Sequence, residues 1–226
     1  SYCTPMTPSQ KAWLLRARQL ARAVHAGTYS EAGLLDAQAG LRLLVQTPRE
    51  IRRVPRILSD AGIRFVIVEP LPGIRIDGAC FWIDESPAIA MSLRYDRVDN
   101  FWFVLMHELG HLTMGVESFD TDLDKGMDDM DRSEDERRAD RFAVEYLIPP
   151  KQLDSFIARI RPLYSARRIE AFALTMKVHP AIVVGQLQHR GEVAWTSFRK
   201  MLVPVREWIT SAALTDGWGT VLPAQL

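Results

Sequence analysis

The chain has 226 residues, with 28 Lys and Arg against 28 Asp and Glu, 47% hydrophobic residues, 25% charged residues and two cysteines. Length and composition fit one substantial core, or one core with a small appendage, and exclude global disorder. The absence of any apolar run of about 18 residues excludes a transmembrane helix. The segment Ser1–Gln10 lacks a secretory signal's order, and Cys3 and Cys80 are too few for a disulfide framework, so the expected compartment is the cytoplasm.

In chain order, residues 1–62 read as helical. Thr7-Pro8-Ser9-Gln10 is a capping-box pattern with proline at the first helical position, and Gly27 is a plausible stop. Between them Trp13, Leu14, Ala17, Leu20, Ala21 and Val24 recur at helical spacing. A second helix is expected over about 30–45, with Leu34, Leu35, Leu41 and Leu44 inward. Thr47-Pro48-Arg49-Glu50 repeats the capping pattern ahead of Ile51, Val54, Ile57 and Leu58, with Pro55 as an expected kink and Gly62 as the stop.

The texture changes at Ile63. Residues 65–68, 76–84 and 88–93 read as strands separated by short turns, and their spacing predicts a three-stranded antiparallel meander. A strongly apolar helix follows over about 98–115, with Phe101, Trp102 and Phe103 implying burial on most sides. An acidic loop spans 117–135, and another helix runs to Leu147 before Pro149-Pro150. Helical patterns recur over 153–160, 166–176 and 179–188. In the less regular tail, Trp195, Phe198, Trp208 and Trp218 are expected to dock on the body. The fold class is therefore α+β and mostly helical: a helical extension over 1–62, a core over 63–150, and a helical C-terminal subdomain over 151–226. Zero net charge hides an asymmetry of +6, −11 and +5 over residues 1–75, 76–150 and 151–226. Direct nucleic-acid binding is therefore not expected.

The chemistry sits in His107-Glu108-Leu109-Gly110-His111, an H-E-x-x-H sequence inside the apolar helix. Residues four apart share a helix face, so both imidazoles can reach one zinc ion. Glu108, beside the first ligand, can act as the general base toward the attacking water. A third ligand is required, and the next helix offers Glu136, with Asp140 four residues on to accept the outer N–H of a ligand histidine. Helical phase favours Glu136 over its neighbours Glu134 and Asp135, since Glu136, Asp140 and Ala143 lie opposite Arg137 and Arg141. Two plainer readings compete. The histidines could be core residues, and Ser133-Glu134-Asp135-Glu136 is itself a capping box that could occupy Glu136.

Asp120, Asp122 and Asp124 occupy calcium-loop positions, but Lys125 stands where glycine is required, so a solvated acidic loop is the better reading. His25, His179 and His189 read as capping or surface histidines. Arg94, Tyr95, Arg97 and Tyr146 are candidate donors to an oxyanion.

Residues 99–115 with H-E-L-G-H, then E-x-x-A-D-x-F-A and L-I-P-P, resemble the ImmA/IrrE family of metallopeptidases over roughly 62–150. The resemblance implies a zincin-like core, zinc held by His107, His111 and Glu136, and Glu108 as the general base. Trp13–Arg18 and residues 64–103 are also similar to regulators in which a helix-turn-helix domain precedes such a peptidase domain. Ser1 in place of a methionine fits a processed chain, a stand-alone relative or a piece of a longer regulator. The expectation is a zinc metallo-endopeptidase acting in stress-response, toxin–antitoxin or phage regulation. Its expected partner is a protein substrate, either a helix-turn-helix repressor or a DNA-binding domain lying ahead of Ser1. The peptide is expected beside an edge strand at 88–93. The alternative is a metal-binding sensor domain without proteolysis. A variant that reads DNA through 169–187 is weak, because Arg167, Arg168 and Lys177 are a thin basic patch.

Overall fold

A computed structural model describes residues 6–120 and 133–216. The elements are α1 (Pro8–Ala23), α2 (Glu31–Arg42), a 3-10 helix (Pro48–Arg53), α3 (Val54–Asp60), β1 (Arg64–Val68), β2 (Gly78–Ile83), β3 (Ser86–Met91) and α4 (Val98–Met114). They continue with β4 (Ser118–Asp120), α5 (Glu134–Leu147), α6 (Pro150–Ile160), α7 (Ala166–Met176), α8 (Pro180–His189), a 3-10 turn (Arg199–Met201), α9 (Arg206–Thr210) and β5 (Leu214–Asp216). Trp218 and residues 121–132 of the acidic loop, with Asp122 and Asp124, lie outside the described residues.

The sheet departs from the expected meander. It has five strands in the order β4-β2-β3-β1-β5, and it is mixed. The β2–β3 hairpin is antiparallel as expected, but β3 slots between β2 and β1 and runs parallel to β1, which also pairs in parallel with β5. Alternation within a strand sets its two faces and not its neighbours, so the crossover left no local trace. One consequence is a correction: β3 is paired on both sides and is no edge to which a peptide could add. Among the described residues the outer strands are β4 and β5.

Both faces of the sheet are covered. Phe65, Ile67, Cys80, Ile89 and Met91 point into the main core beneath α2, α3 and α4. Val66, Val68, Ala79, Phe81, Ile83, Ala88 and Ala90 point the other way, onto Trp13, Ala17, Leu20 and Ala21 of α1. The period of two in the strands thus meets the 3.6-residue stripe of α1. Each fully buried large apolar side chain contributes about 1.5–3 kcal/mol. The indole N–H of Trp13 donates to the Val68 carbonyl at 2.9 Å, so α1 is also tied to the sheet by a buried hydrogen bond.

Local signals set several helix starts. Thr7 and Gln10 form the reciprocal capping box, and the Ser30 and Ser133 hydroxyls accept from main-chain N–H groups of α2 and α5. At Thr47 the expected side-chain cap is not made. A 3-10 helix runs there into α3, and Pro55 falls in the first turn of α3, so it kinks nothing. In the paired helices α7 and α8, Ile182, Val183, Val184 and Leu187 of α8 are buried in the core. No helix among the described residues is long and apolar enough to cross a membrane.

His179 is the N-cap of α8, its Nδ1 accepting from the Ala181 N–H at 3.2 Å. Accepting requires the neutral ring, and burial lowers its pKa below the ordinary 6.5, partly opposed by Asp99. As pH falls through about 6.5 the unfolded chain takes up this proton before the folded one. The cap's stabilisation is therefore full above that pH and declines below it. Asparagine can cap without titrating. We expect His179→Asn to lose less stability than the wild type between pH 7 and pH 5 in urea titrations. His179→Ala should cost about 1 kcal/mol at pH 7 and less at pH 5.

Candidate metal centre

Helix α4 runs through the middle of the fold with residues 104–112 buried from end to end. Its buried polar face carries His107, Glu108 and His111. Helix α5 crosses it closely, because Gly110 leaves room: a Cβ there would lie 3.1 Å from the Ala139 Cα and 3.3 Å from the Phe142 ring. The small Gly110–Ala139 contact brings Glu136 and Asp140, on the same face of α5, over the two histidines.

The donor atoms converge. His107 Nε2 and His111 Nε2 are 3.0 Å apart, and the Glu136 carboxylate oxygens lie 3.4 Å from the first and 3.2 Å from the second. Tetrahedral nitrogen and oxygen ligands at about 2.0–2.2 Å from one ion stand roughly 3.3–3.5 Å apart. The three side chains therefore fit a single metal ion. His107 Nδ1 lies 2.9 Å from the Asp140 carboxylate. Donating there fixes the tautomer and leaves the Nε2 lone pair for the metal.

The competing readings resolve from the same geometry. The Ser133 hydroxyl accepts from the Glu136 main-chain N–H at 3.2 Å, so the capping pattern uses the backbone of Glu136 and leaves its carboxylate to the histidines. Glu134 lies outside the centre, ion-paired to Arg137 and Arg141, and those hydrogen bonds hold its pKa below the ordinary carboxylate value.

Glu108 is completely buried, and its carboxylate accepts from the Ser118 hydroxyl at 2.6 Å. Ser118 belongs to β4, and its hydroxyl also accepts from the Cys80 N–H at 3.0 Å. Gly78 on β2 faces the same carboxylate, where a Cβ would come within 2.2 Å of Oε1. Sequence reasoning missed both supporting residues. A glycine beginning a strand is a known mark of close approach and could have pointed to Gly78. Nothing local points to Ser118.

The proposed oxyanion donors fare unequally. The Tyr146 hydroxyl donates to the Gln38 carbonyl at 2.5 Å, and burial raises its pKa. It is turned toward α2 and not the metal face. Arg94 forms a bidentate pair with the buried Asp77 at 2.9 and 3.0 Å, a structural contact. Arg97 pairs with Asp99 and reaches Gln188. Tyr95 and Arg97 both line a cavity of about 380 Å³ alongside Phe103, whose ring centroid is 6.1 Å from that of His107.

The family model for the peptidase M78, IrrE N-terminal-like domain matches residues 59–177, more than half of the chain. The chain belongs to this family. The matched span holds all three donor residues, Glu108 and Asp140, so membership and geometry point to the same metallopeptidase centre. No curated protein was found to match the chain.

Removing a donor should empty the centre, whereas removing Asp140 should only weaken it. Metal analysis after purification should find about one ion per wild-type chain and none in His111→Ala or Glu136→Ala. Asp140→Ala should bind about 10–100-fold more weakly. Full metal content in Glu136→Ala would move the third ligand elsewhere.

Proposed function

We propose that the chain is a zinc-dependent, cytoplasmic endopeptidase that cuts a regulatory protein of the helix-turn-helix repressor or antitoxin type. One observation carries the reading: His107, His111 and Glu136 converge on one point, with the anchored carboxylate of Glu108 one residue from the first ligand. Two imidazoles and a carboxylate form a donor set that suits zinc better than the hard cations. A zinc ion in that set supplies Lewis acidity toward a peptide carbonyl and toward water.

The chain's own residues do the rest. Glu108 takes a proton from the attacking water and delivers it to the leaving amine. Ser118 and the space at Gly78 keep that carboxylate from swinging away, and Asp140 holds His107 in its ligating tautomer. The peptide adds to the outer edge of β4, whose Ser118 already touches the base, so main-chain pairing would draw the scissile bond past Glu108. Tyr95, which lines the neighbouring cavity, is the donor we propose for the developing oxyanion. The regulatory substrate class rests on the likeness of residues 13–18 and 64–103 to repressor-linked peptidases. The two cysteines of the chain support a reducing compartment.

The test is hydrolysis of a quenched-fluorescent peptide library by the zinc-loaded chain. Glu108→Gln should keep its zinc and lose about 10²–10⁴-fold in rate. A Glu108→Gln protein that cleaves like the wild type would overturn the mechanism. Zinc binding without hydrolysis by the wild type would favour the sensor reading. Gly78→Ala should also retain zinc while kcat falls more than KM changes, because the added methyl displaces the base and not the metal ligands.

A further inference from the structure

A second cavity, of about 570 Å³, opens where the end of α1 meets the 3-10 helix, α3 and the chain entering β5. Val24, Pro55, Phe65, Ala212 and Leu214 give it an apolar lining, and His25, Arg52 and Arg56 stand among them. Its walls are tied together. The Ser59 hydroxyl donates to the His25 carbonyl at 2.8 Å, and the Gly27 N–H donates to the Ser59 carbonyl at 2.9 Å. Arg64 secures the end of α1 by donating to the Ala21 carbonyl at 3.2 Å. Most of the lining comes before or after the span that the family model matches, and no metal ligand is part of it.

Positive charge continues beyond the cavity. Arg49, Arg52, Arg53 and Arg56 recur every three or four residues along the 3-10 helix and α3, and all four are exposed. Ile51, Val54 and Leu58 turn the other way and are fully buried, so the arginines form the outer face. Little of this charge is neutralised within the fold. Arg53 pairs with Glu50 at 3.1 Å. Arg56 meets Asp60 only at 3.9 Å with both side chains largely exposed, a contact that contributes little. The guanidiniums of Arg49 and Arg52 make no ion pair or hydrogen bond among the described residues. Asp60 is the one acidic residue in the cavity lining.

Seven residues of helix separate Arg49 from Arg56, a row roughly 10–14 Å long. That length exceeds a single carboxylate headgroup, whereas an extended peptide covers it in about four residues. Guanidiniums match carboxylates in geometry as well as charge. The apolar cavity beside the row has room for one large hydrophobic side chain. A nucleic-acid backbone would engage the arginines and leave that recess unfilled. We propose that this face docks an acidic segment of a partner protein, its carboxylates on Arg49, Arg52 and Arg56 and one large apolar side chain in the cavity. The site goes beyond the peptidase reading and stands without it, because no metal ligand or base lines the cavity.

Fluorescence anisotropy of a labelled peptide tests it. The probe carries Glu-Asp-Leu-Asp-Glu at its centre and is titrated with the full chain at low salt. It should bind, and its affinity should fall as salt is added. Arg52→Glu combined with Arg56→Glu should weaken binding about tenfold, since two attractions become repulsions. Lys151→Glu combined with Arg167→Glu makes the same change in net charge at exposed positions elsewhere and should leave affinity within about twofold. Serine in place of the probe's leucine should cost about tenfold. Ala212→Phe, which fills the cavity and keeps every arginine, should bind the leucine and serine probes alike. Failure of the wild type to bind the probe overturns the site, as do equal losses in the two double variants or indifference to the leucine. A short DNA duplex that binds more tightly than the probe and depends on the same arginines overturns it too. Melting temperatures control for folding, and the wild-type comparison of the leucine and serine probes decides even where a variant fails to fold.

Discussion

Three lone-pair donors gathered largely out of water need a partner that serves all of them. His107 Nε2, His111 Nε2 and the Glu136 carboxylate lie 3.0–3.4 Å apart, and both imidazoles are buried. The hydrogen bond from His107 Nδ1 to Asp140 closes the alternative of turning the first ring to hide its lone pair. One metal ion would take all three donors at once. The rest of the core is arranged around this constraint. Gly110 lets α5 approach, Ala139 fills the space that remains, and the burial of α4 on nearly every side fixes the rings in register.

Much of this centre was legible because its determinants are periodic. Spacing alone puts His107 and His111 on one face and Glu136 and Asp140 on another, and the opposite phase of Arg137 and Arg141 told Glu136 from Glu134. That distinction is physical: Glu134 is drawn outward by two guanidiniums. The capping pattern at Ser133 looked like a rival use of Glu136, yet a cap needs only the backbone N–H at that position. The two roles are compatible on one residue, which a reading by motif alone sets in opposition.

What stayed hidden depends on distant segments. Strands β1, β2 and β3 were found within a few residues, but their order was not, because β3 follows β2 in the chain yet lies beside β1 in the sheet. Strands β4 and β5 have three residues each, too few for alternation to register. Ser118 shares β4 with nothing that marks it, and its role appears only when β4 pairs with β2 over Glu108. Tyr146 failed in the opposite way. Its residue type suited an oxyanion donor, but its hydroxyl is used to tie α5 to the Gln38 carbonyl on α2.

The boundary of the family match divides the site in a way that follows from its chemistry. Donors, base and supporting residues all fall within 59–177, whereas α8 and the segment carrying Trp195 come after it. Helix α4 belongs to both halves of the division. Its C-terminal half presents His107, Glu108 and His111 to the metal, and its N-terminal half presents Asn100 and Phe103 to the cavity. Bond cleavage requires a fixed set of donors at fixed distances, which leaves little freedom inside the matched span. The far wall of the cavity, with Gln186, His189 and Trp195, comes from outside that span. That far wall carries none of the metal donors, and α8 packs on α4 across the cavity.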